Sequence, residues 1–167
     1  MQISTVLALL VVVLSAAPAV AQPTIFLVRH AERADTAPGT SPTMAADPDL
    51  SDAGRARADS LATALKDAKI AAIYATEFKR TQQTAAPLAK ALGLTVTIVA
   101  SKSAPELIDR LKKSKGNVLV VGHSNSVPEI IKAVGVTTPV TIGDNDFDNM
   151  FLVTLSSPPA LLRLHYR

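Results

Sequence analysis

The chain has no cysteine and no tryptophan, and its aromatic side chains stop at two tyrosines and four phenylalanines. Without cysteine there are no disulfides, thiolate metal sites or cysteine nucleophiles, so the fold rests on its apolar core alone. So few rings leave little for bases to stack on. The one basic cluster, Lys102, Lys112, Lys113 and Lys115, therefore reads as a solvated helix end rather than a nucleic-acid surface. Charge is absent from residues 1–21, so the net +3 belongs to the remainder and weakly favours small anions.

What is present bounds the answer further. A length of 167 residues suits one domain with a sizeable core and not two, and 48% apolar against 19% charged residues excludes a disordered chain. Val6 to Leu14 is an uninterrupted apolar run, too short to span a bilayer comfortably, and Ala19-Val20-Ala21 forms a small-x-small pattern before Gln22. These features predict a secretory signal peptide over residues 1–21, although its first five residues lack Lys and Arg; a retained anchor is the rival. The mature domain is then 22–167, periplasmic or secreted, with no membrane span.

Thr24 to Val28 is nearly all apolar and β-favouring, which predicts a strand buried on both faces with Arg29 and His30 at its carboxyl end. In open α/β sheets ligands bind at that edge. A guanidinium beside an imidazole there suits a doubly charged phosphate, the Arg through its fork and the His as nucleophile or donor. The plain alternative is a His satisfied by a backbone carbonyl and a surface Arg.

Arg33 to Leu50 lacks periodicity and reads as a long loop of the kind that lines sites. Ser51 is a candidate N-cap for a helix over about 52–67, followed by a strand at Ile70 to Ala75. Thr76 to Thr81 leaves that strand and carries Arg80. A helix ends at Gly93 with Pro87 either kinking it or marking its regular start, and Leu94 to Ala100 predicts a third strand. Ser103 to Glu106 opens another helix. Asn117 to Val121 is a fourth buried strand ended by Gly122-His123-Ser124-Asn125, then come a helix over Val127 to Val134, a loop, and closing strands at Met150 to Leu155 and Leu161 to Tyr166. The alternation predicts a three-layer α/β/α sandwich with a mostly parallel central sheet, its last strands free to run antiparallel.

One edge thus collects Arg29, His30, Arg80 and His123. On these residues the chain resembles the histidine phosphatase superfamily, also called phosphoglycerate mutase-like, in its small single-domain branch. The matches are Leu27-Val28-Arg29-His30-Ala31-Glu32, Leu50-Ser51-Asp52-Ala53-Gly54-Arg55, the segment Thr76 to Thr84, and Val120-Val121-Gly122-His123, in the family's order. The resemblance implies a phosphatase acting on a phosphomonoester or phosphohistidine, a phosphorylated small molecule or phosphoprotein. His30 would attack phosphorus and carry a covalent phosphohistidine, while Arg29, Arg80 and His123 bind its oxygens and water releases phosphate; no cofactor or metal is implied. Ser124 or Asn125 would add a hydrogen bond to phosphate. Mutase activity is not expected of so short a chain.

Ala31 stands where the family has Gly, which requires the backbone there to avoid positive φ. The general acid stays open between Glu106 and Glu77. Ser103-x-x-Glu106 is also a capping box, in which the Glu reaches back to a free amide. Glu32 reads as a partner of a nearby Arg, His165 as a strand-end residue, and Asp144, Asp146 and Asp148 as turn chemistry, since the glycine and closing Glu of a calcium loop are missing. Three rivals remain. One is a non-catalytic phosphate-binding protein of the same fold. Another is a serine esterase using Ser124 in a near nucleophile elbow, Gly122 to Ser126, with Asp144 to Asp148 and His165 downstream. The third is a zinc site of His30, Glu32 and His123.

Overall fold

The computed structural model describes residues 22–36 and 47–167, so the leader expected over 1–21 and residues 37–46 of the long loop lie outside the described residues. Six strands, β1 (Thr24–Arg29), β2 (Ile70–Ala75), β3 (Val96–Ile98), β4 (Asn117–Gly122), β5 (Asn149–Thr154) and β6 (Ala160–His165), alternate with four helices, α1 (Asp52–Leu65), α2 (Lys79–Leu92), α3 (Ala104–Lys112) and α4 (Ser126–Ala133). They form one sheet in the order β3-β2-β4-β1-β5-β6. The first four strands in that order pair in parallel, whereas β5 runs antiparallel to both β1 and β6. The mostly parallel sheet with antiparallel closing strands is the architecture expected from the sequence.

β1 and β4 are apolar at nearly every position because both their faces are covered. Ile25, Leu27, Val118 and Val120 pack with residues of α3 and α4, including Leu107, Leu111, Val127 and Ile131. Phe26, Val28, Leu119 and Val121 point the other way, against Leu61 and Leu65 of α1 and Ala85 and Leu88 of α2. Successive strand residues alternate between two helical layers, so both periods carry apolar side chains. None of the described helices is long and apolar enough to cross a membrane.

Two local expectations need correction. The third strand spans only Val96–Ile98 rather than Leu94 to Ala100, because it sits at the sheet edge with β2 as its one partner and the chain turns into a 3-10 segment at Ser101–Ser103. The capping box at Ser103 does not form. Ser103 has φ −100° and ψ 32°, away from the extended backbone that lets a cap hydroxyl reach forward, and it makes no side-chain cap bond. Elsewhere the punctuation holds: the Ser51 side chain accepts from the Gly54 amide to start α1, and Gly93, at φ 65°, ends α2. Pro87 lies inside α2.

Candidate active site

The parallel register of β1 and β4 pairs Arg29 with Gly122, so the residues that follow, His30 and His123, emerge side by side at the carboxyl edge. The His30 amide donates to the Gly122 carbonyl at 2.9 Å, and the two imidazole centroids are 5.3 Å apart. His30 is only 4% exposed. Its Nδ1 lies 2.8 Å from the Ala31 carbonyl oxygen; a carbonyl can only accept, so Nδ1 bears the proton and Nε2 keeps a free lone pair. Burial pushes the His30 pKa down to about 3; the Ala31 carbonyl opposes this, while the charges of His123, Arg80 and Arg29 reinforce it. Burial, then the charge of Arg80, lowers His123 to about 4. Both rings are therefore neutral at neutral pH.

Each imidazole is flanked by an arginine stacked on a phenylalanine. The Arg29 guanidinium lies 4.2 Å from the centroid of Phe147, whose ring is 6.3 Å from that of His30. The Arg80 guanidinium lies 4.3 Å from Phe78, whose ring meets His123 edge-on at 5.4 Å. Arg29 Nη1 donates to the carbonyls of Gly143 and Asp144 at 2.9 and 2.8 Å, pinning the loop before β5. Arg80 is 3.8 Å from Asp47. The Nε of both arginines is buried without a hydrogen-bond acceptor among the described residues. Burial lowers the pKa of each guanidinium, and the charge of Arg33 lowers both further. Two buried Nε–H groups lacking acceptors, on guanidiniums beside two neutral imidazoles, make a receptor for an anion with several oxygens.

The four matched segments build this arrangement locally. Gly54 lets the start of α1 approach the segment after His30: a Cβ there would sit 2.2 Å from the Glu32 carbonyl oxygen, which accepts from the Ser51 amide and hydroxyl. Thr84, fully buried, accepts from the Ala31 amide at 3.0 Å and donates to the Arg80 carbonyl at 2.7 Å, tying α2 to the His30 turn. Thr76 Oγ1 is 3.1 Å from His123 Nε2 and 2.9 Å from Thr81 Oγ1, which orients the second imidazole. Positive φ among non-glycine described residues occurs only at Lys69, so Ala31 fits where the family carries Gly.

The remaining sequence candidates fall in different places. The Glu77 carboxylate accepts from the Ser101 amide and hydroxyl at 2.7 and 2.8 Å; burial raises its pKa, but these bonds and its own amide bring it below the usual carboxylate range. Its charge is felt at His123. Glu106, in contrast, pairs with Arg110 at 2.7 Å on the exposed side of α3, which corrects its reading as a cap and gives it no bond to the two imidazoles. Ser124 is half-buried and Asn125 exposed in the turn after His123, and Asn125 makes no cap bond. The Ser126 hydroxyl accepts from the His123 amide and His165 pairs with Asp148, so the described residues contain no serine hydrogen-bonded to an imidazole, as an esterase dyad requires. Glu32 is held bidentately by Arg57, turning it from the zinc trio, and the described residues contain no three-residue metal cluster. Asp146 accepts from the Gly143 amide, the turn role expected of it.

The sequence reading missed Phe78, Phe147 and Arg33. The signal available was adjacency: Phe78 stands two residues before Arg80 and Arg33 four after Arg29. Phe147 carried none, because only the fold brings its loop to β1.

Residues 25–101 match the family model described as histidine phosphatase superfamily (branch 1). Solved structures share the fold. An alpha-ribazole-5'-P phosphatase candidate from Escherichia coli str. K-12 superposes with a TM-score of 0.69 at 17% identity, covering 86% of this chain and 96% of its own. The protein histidine phosphatase SixA complexed with tungstate gives 0.64 at 18%, covering 85% and 96%. The mycobacterial glucosyl-3-phosphoglycerate phosphatase Rv2419c with VO3 gives 0.64 at 12%, covering 86% and 98%. A search of curated proteins found no match. Arg29, His30 and Arg80 lie inside the segment that matches the histidine phosphatase superfamily model, and the solved structures share the fold around them.

Proposed function

We propose that the chain is an exported phosphatase that hydrolyses a phosphomonoester or phosphohistidine through a covalent intermediate on His30, without a metal. The observation that carries this reading is the pairing of a buried, neutral His30 whose Nε2 is free with two guanidiniums whose buried Nε atoms lack acceptors. Tungstate and vanadate, the oxyanions in two of the similar structures, are tetrahedral or phosphorus-like groups of the kind this receptor suits.

In the first half-reaction, the lone pair of His30 Nε2 attacks phosphorus in line, the bond to the leaving group breaks, and its electron pair departs with that group. Arg29 and Arg80 neutralise the three remaining oxygens and the uncharged His123 ring helps orient them, where positioning and charge supply most of the catalysis. Water then attacks the phosphohistidine, gives up a proton to solvent, and the nitrogen regains its lone pair. Of the two acid candidates, Glu77 is held as an anion by its bonds to Ser101, and Glu106 is paired with Arg110 on the exposed side of α3, so leaving groups that need little protonation are favoured. This supports an aryl ester, or a phosphohistidine whose ring takes a proton from solvent and leaves as neutral imidazole, over an alkyl ester, and it is the one observation on the side of the non-catalytic phosphate binder.

Turnover of p-nitrophenyl phosphate by residues 22–167, inhibition by vanadate, and an acid-labile phosphate label lost in His30→Ala test the reading. Binding of phosphate with no turnover of any ester or phosphoramidate leaves the non-catalytic binder. The apolar run Val6 to Leu14 and the Ala19-Val20-Ala21 pattern support export; a mature amino terminus at Gln22 in the secreted or periplasmic fraction tests it.

A further inference from the structure

Arg29 and Arg80 hold matching places beside the two imidazoles, yet their charges are balanced differently. Arg29 Nη1 donates to two backbone carbonyls, which carry no net charge. Arg80 instead faces a carboxylate, with its Nη1 3.8 Å from Asp47 Oδ1, beyond hydrogen-bond reach. That pair is one of charge alone, and Arg80 Nε is likewise without an acceptor among the described residues.

What the Asp47 carboxylate does bind is the start of α2. Both its oxygens accept from the Lys79 amide, at 2.9 and 3.1 Å, where Phe78 at the helix boundary offers no side-chain cap. A free amide at the positive end of a helix holds a carboxylate well. The chain beside Asp47 is seamed in from two sides. The Ala34 amide donates to the Asp49 carbonyl at 2.9 Å, and Gln83 donates to the Asp49 side chain and accepts from the Leu50 amide, at 2.9 and 2.8 Å. Turning the Asp47 carboxylate fully onto Arg80 would uncap α2, and moving it away would break the same bonds.

A negative charge held this close to an anion receptor opposes the anion. Asp47 is 33% exposed and Arg80 13%, so solvent screens the pair only in part. Substrate and product carry their phosphate charge in the same place, so the repulsion weakens both alike and acts on KM rather than on the chemical step. Resting on the phosphatase reading above, we infer that Asp47 is a counter-anion built into the receptor: capping α2 fixes it beside Arg80, where it lowers the affinity for product phosphate and lets the site empty.

The test is calorimetric binding of inorganic phosphate to the 22–167 chain at about pH 8, where phosphate is mostly a dianion, with kcat and KM for p-nitrophenyl phosphate alongside. Asp47→Asn keeps an oxygen acceptor for the Lys79 amide and removes the charge. It should bind phosphate about three- to tenfold more tightly and lower KM by a similar factor, with kcat unchanged or reduced, the size of one partly screened charge. Added salt should shrink that gain. Asp49→Asn removes an equal charge from the same segment, on the side of Lys79 and Gln83, and should leave phosphate affinity within about twofold. Asp47→Ala loses the cap as well, so its urea midpoint should fall while that of Asp47→Asn stays near the unsubstituted value. Unchanged or weaker phosphate binding in Asp47→Asn overturns the inference, as does an equal gain in Asp49→Asn. Tighter binding in Asp47→Asn by a chain that turns over no ester or phosphoramidate upholds the opposing charge of Asp47 and overturns instead the phosphatase reading on which its role in release rests.

Discussion

The two halves of the site solve one problem with different materials. In the β1 half, backbone groups fix His30: its Nδ1 proton goes to the Ala31 carbonyl and its amide to Gly122. In the half built from β2 and β4, a side-chain hydroxyl, Thr76 Oγ1, orients His123, and Asp47 faces Arg80 at 3.8 Å. A backbone carbonyl is beyond the reach of single substitutions, whereas a threonine is not. Under the proposed mechanism, the difference teaches that the tautomer His30 needs as nucleophile is insulated from sequence change, while the ring of His123 is left adjustable. His30 is the more depressed of the two, about 3 against about 4, because it is the more deeply buried and despite the carbonyl that takes its proton.

The sharpest way to break this comparison is to delete each ring. His30→Ala should lower kcat by roughly 10³-fold or more and abolish the covalent label, as expected when a nucleophile is removed. His123→Ala should cost about 10²-fold and leave the label, the scale of one oxyanion donor. Rapid-quench measurement of phosphoenzyme separates them. Equal loss of label in both variants would mean that the roles are shared rather than divided.

Acid comes next. Both imidazoles have folded pKa values below the 6.5 of a free ring, so on lowering the pH the unfolded chain takes up these protons first. Their contribution to stability is complete above about pH 6.5 and is lost as the pH falls toward 3 to 4. The urea midpoint should therefore fall across that window, and His30→Asn should flatten the slope more than His123→Asn. Turnover should persist well below pH 6, with its acid limb near the lower pKa values.

A smaller effect probes the hydroxyl itself. Thr76→Val removes the partner of His123 Nε2 and should lower kcat/KM about tenfold, the worth of a buried hydrogen bond, whereas Thr76→Ser should stay within about twofold. Because Thr76 also meets Thr81, the ¹⁵N shifts of the His123 ring give the cleaner readout: Thr76→Val should mix the tautomers of His123 and leave those of His30 unchanged. Mixing at both rings would remove the distinction drawn here.

What was legible in the sequence divides along the same lines. The doubly buried strands β1 and β4 were readable because burial on both faces writes unbroken apolar runs, and the ends of those runs led directly to Arg29, His30 and His123. The Ser51 cap and the Gly93 stop were readable because they are local. Glu106 misled because a capping box is a pattern of identities, while the cap depends on the backbone of Ser103, which the 3-10 turn before it sets. Phe147 was illegible as a site residue for a different reason: its neighbours Arg29 and His30 lie at the end of β1, distant in the chain, and the loop before β5 meets them only in the fold.

The least effect, and the finest comparison, concerns the two phenylalanines. Each lies under a guanidinium at nearly the same separation, 4.2 and 4.3 Å, so the cation–π attraction lost in Phe147→Leu and Phe78→Leu should be alike, about 0.5 to 1 kcal/mol each at these half-exposed positions. Their other contacts differ. Phe78 touches His123 edge-on, whereas Phe147 lines the cleft that opens beside Arg29 and belongs to the loop whose carbonyls take Arg29 Nη1. Phe78→Leu should accordingly weaken vanadate binding two- to fivefold, the range that energy converts to, with the same factor for every substrate. Phe147→Leu should weaken vanadate by a similar factor and, in addition, change the ranking among esters, because it alters the wall against which the leaving group rests. If both variants shift all substrates equally, the cleft beside Arg29 is a surface feature rather than part of the site, and the two halves differ only in how their imidazoles are held.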